Sequence, residues 1–108
     1  MAGQMIRAAL VCVLAGGMGA AQADAQAGRA KAKMCAVCHG EFGISTLPNA
    51  PNLAGQPEVY LAEQLKAYRS GKRSDENMNV IVKPLTNADI TDLAAWYASI
   101  MIEAKPPK

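Results

Sequence analysis

Apolar positions recur at helical spacing in two stretches of the chain, and nowhere do they alternate for long enough to suggest a half-buried strand. From Tyr60, the residues Leu61, Gln64, Leu65 and Tyr68 follow at offsets of one, four, five and eight, which puts all of them on one helix face. That helix is predicted to begin at Pro57, a residue suited to the first helical position, and to run to Ser70 with Gly71 as its stop. Ile90, Leu93, Ala94, Tyr97 and Met101 form a second stripe, capped by Thr86 with Asp89 three residues on, a variant of the capping box. This helical pattern fades at Lys105-Pro106-Pro107-Lys108. A further helix is expected on propensity from about Asp24 or Gln26 to His39, with Gly40 as a left-handed stop.

Two long loops separate the three helices. Glu41 to Gln56 is punctuated by Gly43, Pro48, Pro51 and Gly55. Gly71 to Leu85 is as irregular, and a loop of that length in a small domain calls for a functional role or a ligand to hold it. Val80-Ile81-Val82 is the only run of three β-branched residues, and it lies between Asn79 and Pro84. The pattern is therefore all-α.

The first residues belong to a different kind of segment. Arg7 supplies a positive start, Ala8 to Ala15 an apolar stretch, and Ala21-Gln22-Ala23 a small-x-small cleavage signal, so residues 1–23 are expected to be a removed secretory signal. An uncleaved anchor is the alternative, but the apolar run is short and rich in Gly and Ala for a membrane span. Residues 24–108 would then form one domain, soluble and located in the periplasm, with Cys12 lost along with the signal. Ten Lys and Arg against nine Asp and Glu leave that domain near neutrality, which implies neither nucleic acid nor a charged membrane surface as partner. Lys66, Arg69, Lys72 and Arg73 are expected to form a solvated basic face, or else a docking patch for an acidic redox partner. Phe42, Tyr60, Tyr68, Trp96 and Tyr97 are the only aromatics, few for a core of this size, so a cofactor or another staple is expected to complete it.

Cys35-Ala36-Val37-Cys38-His39 supplies that cofactor's chemistry, because C-x-x-C-H is the attachment pattern of a c-type haem. Residues three and four apart share a helix face, so both thiols and the imidazole can approach one planar ligand. Two rivals share part of the pattern. A thioredoxin-like dithiol should follow a strand, whereas Gln26 to Met34 is helical by propensity. A structural zinc site needs four Cys or His ligands, one more than Cys35, Cys38 and His39 provide.

Haem iron has a second axial position, and its occupant decides between electron transfer and small-molecule binding. His39 is the only histidine, so the next candidates in the mature chain are Met34, Met78 and Met101. Met34 adjoins Cys35, and Met101 falls on the stripe of the last helix, whereas Met78 stands in the long loop that is free to fold over the ring. Met78 is accordingly the expected second ligand, with Lys83 as an outside alternative and an idle exposed loop methionine as the bland one.

Taken in order, these residues resemble the small soluble class I cytochromes c of bacteria, of the short monohaem type and similar to single domains of dihaem relatives. The resemblance rests on Gly28, Cys35 to Gly40, Pro51-Asn52-Leu53-Ala54-Gly55-Gln56, Tyr60-Leu61, Gln64-Leu65, Ser70-Gly71, Met78 and the run from Leu85-Thr86 to Trp96-Tyr97. It implies a small fold of three main helices and long loops wrapped round one haem c attached through Cys35 and Cys38, with His39 and Met78 as the iron ligands. It further implies that the Pro51 carbonyl accepts a hydrogen bond from His39, that Leu53 packs on the haem, and that Gly28 lets the first helix cross closely against Leu93 and Trp96. Many such proteins carry a second Met shortly after the ligand, where this chain has Ile81. The implied function is that of a periplasmic one-electron carrier or electron-transfer subunit, not itself an enzyme, which exchanges electrons with a redox protein donor and acceptor, including an enzyme subunit or a terminal oxidase. The alternative is a haem-based sensor or small peroxidase with a labile sixth ligand.

Overall fold

The computed structural model describes residues 23–108 together with positions 3, 5, 8–12 and 16. The expected secretory signal and its cleavage motif at Ala21-Gln22-Ala23 lie for the most part outside the described residues. Among the described residues five helices follow in order, α1 (Ala25–Lys31), α2 (Lys33–His39), α3 (Glu58–Ser70), α4 (Met78–Ile81) and α5 (Asn87–Ser99). Among the described residues there is no strand, and no helix is long and apolar enough to cross a membrane.

The first expected helix is divided. Asp24 caps α1, accepting from the backbone of Gln26 at 2.9 Å and Ala27 at 3.1 Å. At Ala32 (φ −69°, ψ −8°) the ladder tightens, because its carbonyl accepts from both Cys35 at 2.9 Å and Ala36 at 3.0 Å. Helix α2 carries the Cys-x-x-Cys-His run from that break and ends at Gly40 (φ 80°, ψ 159°), a backbone conformation open to glycine though outside the left-handed helical region expected there. A Cβ on Gly40 would also lie 2.0 Å from the Ile44 carbonyl oxygen.

Helix α3 starts one residue later than expected. Pro57 (φ −56°, ψ 133°) is the extended residue before the helix, and Gly71 (φ 84°, ψ 3°) stops it in the left-handed region. In α5 the expected capping box is present in both directions: Asp89 N–H donates to Thr86 Oγ1 at 3.0 Å and Thr86 N–H donates to Asp89 Oδ2 at 2.9 Å. This helix ends earlier than the stripe suggested. Ile100 is extended (φ −75°, ψ 121°), the Tyr97 carbonyl accepts from Gly55 N–H at 2.9 Å, and the chain leaves the helix, so Met101 is 95% exposed and not part of the stripe.

The long second loop contains the single turn α4, which absorbs two residues of the β-branched run, Val80 and Ile81. The basic cluster is not simply solvated, since two of its members are internal ties. Arg69 donates to the Leu85 carbonyl at 3.0 Å and to Asn87 Oδ1 at 2.5 Å, while Arg73 donates to Gln64 Oε1 at 2.7 Å and stacks 4.7 Å above the Tyr68 ring. Both reach along or between elements because a guanidinium offers several donors in a fixed plane.

Helices α1 and α5 form the most extensive helix contact, joined by α3 against α5. Ile90, Leu93 and Ala94 on α5 are 0–1% exposed, and Ala32, Ala54, Leu61, Val82, Trp96 and Tyr97 complete the core. The crossing depends on Gly28, where an added Cβ would lie 1.9 Å from the Asp92 carbonyl oxygen and 2.9 Å from Trp96 Cβ. Beside it, Lys31 pairs with Asp89 at 2.9 Å and Asp92 at 2.6 Å, and Asp92 accepts from the Asp24 N–H at 2.9 Å. Arg29 covers the outer side of the contact, 5.2 Å from the Trp96 ring and 5.9 Å from that of Phe42.

Two outcomes follow from this junction. Gly28→Ala should destabilise the folded protein by about 1–3 kcal/mol, as overpacking of a close contact does, read as a lowered thermal midpoint; an unchanged midpoint would remove Gly28 from its role. Acid should weaken the same contact. The Thr86 N–H and then Lys31 hold the Asp89 carboxyl down at about 2, and Lys31 followed by the Asp24 N–H lowers that of Asp92. A carboxylate depressed in the folded state stabilises it above its unfolded value near 4, and that contribution is lost as pH falls towards 2. The urea midpoint is therefore expected to drop over this window, and Lys31→Met to make the drop shallower.

Candidate haem site

The residues singled out by the sequence meet at one cavity. It has a volume of about 450 Å³ and lies between α2, α3, α4 and α5, with the loop that follows α2 along its rim. Cys35, Cys38 and His39 line it from α2, Pro51 and Leu53 from that loop, and Met78 from α4.

Each contribution has a local cause. Spacings of three and four residues on α2 turn both thiols and the imidazole to the same side. Both cysteines are free, and burial pushes the Cys35 thiol up from its ordinary value, with the neighbouring Tyr97 hydroxyl acting in the opposite direction. His39 is 7% exposed, and its Nδ1 lies 2.8 Å from the Pro51 carbonyl oxygen. A carbonyl only accepts, so Nδ1 carries the proton and the lone pair is on Nε2, available to a metal. The loop holds Pro51 in place through its neighbours: Ser45 N–H donates to Asn52 Oδ1 at 2.7 Å, and Gln56 Nε2 donates to the Asn52 carbonyl at 3.0 Å. Ser45 Oγ in turn donates to the Cys38 carbonyl at 3.0 Å, which ties the loop back to α2.

The apolar face of α3 also has its explanation here. Tyr60, Leu61, Gln64, Leu65 and Tyr68 all line the cavity, yet only Leu61 is fully buried and Tyr60 is 44% exposed. Helical periodicity correctly marks a face turned inward, but the surface it meets is an open cleft. Met34 reaches the cavity rim as well, whereas Met101 and Lys83 are exposed and take no part in the lining.

Several lining residues escaped the sequence reading. The apolar stripe marks Tyr97 as core, and it is 3% exposed, but its buried hydroxyl makes no well-formed hydrogen bond and has the Cys35 thiol beside it; desolvation, and then Cys35, push its ionisation well up. Arg73, Asp75 and Asn77 line the cavity from the segment before α4. The detectable signal was Asp75 three residues before Met78, the spacing at which a carboxylate caps a turn.

Two free thiols on one helix face, an imidazole with one nitrogen already engaged, a largely apolar wall and an orphaned hydroxyl fit a flat, covalently held macrocycle. The rivals find no such fit. Among the described residues no three His, Cys, Asp or Glu side chains form a metal cage, and no strand leads into the cysteines.

Comparison with known proteins points the same way. The family described as Cytochrome c matches residues 25–100. Cytochrome c4 of Pseudomonas aeruginosa is 45% identical over 83 residues, which cover 77% of this chain and 41% of that protein. Cytochrome c-554(548) of Halomonas halodenitrificans is 43% identical over 79 residues, 70% of this chain and 95% of the relative. The crystal structure of reduced recombinant cytochrome c4 from Pseudomonas stutzeri superposes with a TM-score of 0.70 at 38% identity, covering 73% of this chain and 46% of the other. The chain thus spans less than half the length of the cytochrome c4 relatives and nearly all of the cytochrome c-554(548).

Proposed function

The chain belongs to the cytochrome c family and is an electron-transfer c-type cytochrome with one haem c held through cysteine, and on that premise we propose that it works as a periplasmic one-electron carrier or electron-transfer subunit with His39 and Met78 as axial ligands. The observation that carries this reading is the convergence of Cys35, Cys38, His39 and Met78 on one cavity, with His39 Nδ1 engaged by Pro51. Bound there, haem c supplies an iron that cycles between Fe(III) and Fe(II).

The chain's own residues do the rest. Cys35 and Cys38 would anchor the group, each thiol adding across one vinyl group to give a thioether that keeps it in place in both redox states. His39 is oriented by the Pro51 carbonyl, and a ligand imidazole hydrogen-bonded in this way is fixed in tautomer and raised in basicity. Met78 offers a thioether, and a His/Met pair raises the reduction potential. Leu53, Leu61 and Leu65 line the cavity and would lay apolar surface against a bound ring, lowering the polarity around it. His39 and Met78 together would hold the iron on both sides and would leave no place for oxygen or peroxide. A sensor or small peroxidase needs that position open, and Met78 on the cavity wall argues for the carrier.

Export rests on the expected signal at residues 1–23. The partners are a redox protein donor and acceptor, including an enzyme subunit or a terminal oxidase, with no substrate turned over by this chain itself.

Met78→Ala tests the ligation. The variant should have a lower midpoint potential and its ferrous form should bind carbon monoxide, which the unaltered ferrous protein should not. Ready carbon monoxide binding by the unaltered protein would overturn the six-coordinate reading.

A further inference from the structure

Met78 lies on a single helical turn within the stretch from Gly71 to Pro84, which has no other regular structure. A four-residue turn is too short to hold itself: the few backbone hydrogen bonds it makes with its own neighbours, such as Ile81 N–H to the Asn77 carbonyl at 3.0 Å and Val82 N–H to the Met78 carbonyl at 3.1 Å, do not offset the ordering of its residues. The position of the Met78 side chain must therefore be set by what ties the turn to the rest of the protein. Val82, the residue that ends the turn, is buried on one side of it, and the hydrogen bond that ties the turn to α3 comes from the immediate neighbour of Met78, Asn79.

Asn79 is half-buried and uses both ends of its amide. Its Nδ2 donates to the Tyr68 carbonyl at 2.7 Å, in the last turn of α3, and to the Arg73 carbonyl at 2.9 Å. Its Oδ1 accepts from the Asp75 N–H at 2.7 Å. Asp75 completes the set, since its carboxylate accepts from the backbone of Asn77 and of Met78 itself, each at 2.9 Å. Arg73 is in turn held on the Tyr68 ring and Gln64. Through one amide the end of α3 is latched to the turn that presents Met78.

We propose that Asn79 is a positioning residue for the sixth ligand: by fastening α4 to the end of α3 it sets how firmly the Met78 sulfur holds the iron against competing ligands. The proposal rests on the reading of Met78 as an axial ligand. An external ligand binds only the fraction of molecules in which Met78 has left the iron, so its apparent affinity measures that fraction. Losing the two donor bonds, one to the Tyr68 carbonyl in α3 and one to the Arg73 carbonyl in the segment after it, each contributing on the order of 1 kcal/mol, should raise the fraction about tenfold or more.

The test is imidazole binding to the ferric holoprotein, with Asn79→Ala made in the presence of Met78 and again in a Met78→Ala background. Asn79→Ala alone should tighten apparent imidazole binding about tenfold, while in the Met78→Ala background it should change it by less than about twofold, the pattern of two coupled residues. Asn79→Asp keeps the acceptor for the Asp75 N–H but loses both donors, and should tighten binding in the same direction should the alanine variant fail to fold. Unchanged imidazole affinity in Asn79→Asp or Asn79→Ala, or an equal gain in both backgrounds, would overturn the role of Asn79. If instead Met78→Ala alone binds imidazole no more tightly than the unaltered protein, it is the ligand reading that fails.

Discussion

The contact of α1 with α5 at Gly28 is the constraint on which the remaining architecture depends. The two backbones approach so closely that even a methyl group would collide with the Asp92 carbonyl, and Lys31 fixes the register by pairing with Asp89 and Asp92. Because α2 continues from α1 through the tight turn at Ala32, the angle of this crossing decides where Cys35, Cys38 and His39 are carried. They arrive over the face of α5 that presents Leu93, Ala94 and Tyr97, and the cavity opens there. A binding site of three residues on one short helix is in this way governed by a glycine seven residues before the first of them.

The other walls are built on the same economy. α3 gives up the full burial of its apolar face to serve as the opposite wall, and α4 is a minimal turn held by side chains instead of by helical length. With nine buried apolar residues forming the core, the described chain has little packing to spare, and a group bound in the cavity would supply much of what a larger domain finds in its own interior. Any group that binds only the folded form stabilises it, so assembly of the site and folding of the domain are one linked process.

How far the sequence disclosed this varied with the range of the interaction. The capping box at Thr86, the stop at Gly71 and the cysteine spacing are local, and each was legible from a few neighbouring residues. The family resemblance extended the reach to Gly28 and Pro51, whose partners are distant in the chain, and the geometry at both positions agrees with what it implied. The misplacements have physical reasons. The break at Ala32 arises from a shared carbonyl and leaves no mark in propensity, and Met101 fits the apolar period but lies beyond a helix end set by a Gly55 contact from another segment. Arg69 and Arg73 read as surface charge because composition cannot say which carbonyls lie within their reach, and the Asn79 latch was invisible for the same reason.

Whether this cavity holds one haem joined to both Cys35 and Cys38 is read from the pyridine haemochrome spectrum of the isolated protein. The expected spectrum is that of haem c, one haem per chain, with the chromophore staying on the polypeptide through acidified acetone. No bound haem, or an extractable haem with the spectrum of unsaturated vinyl groups, would contradict that attachment.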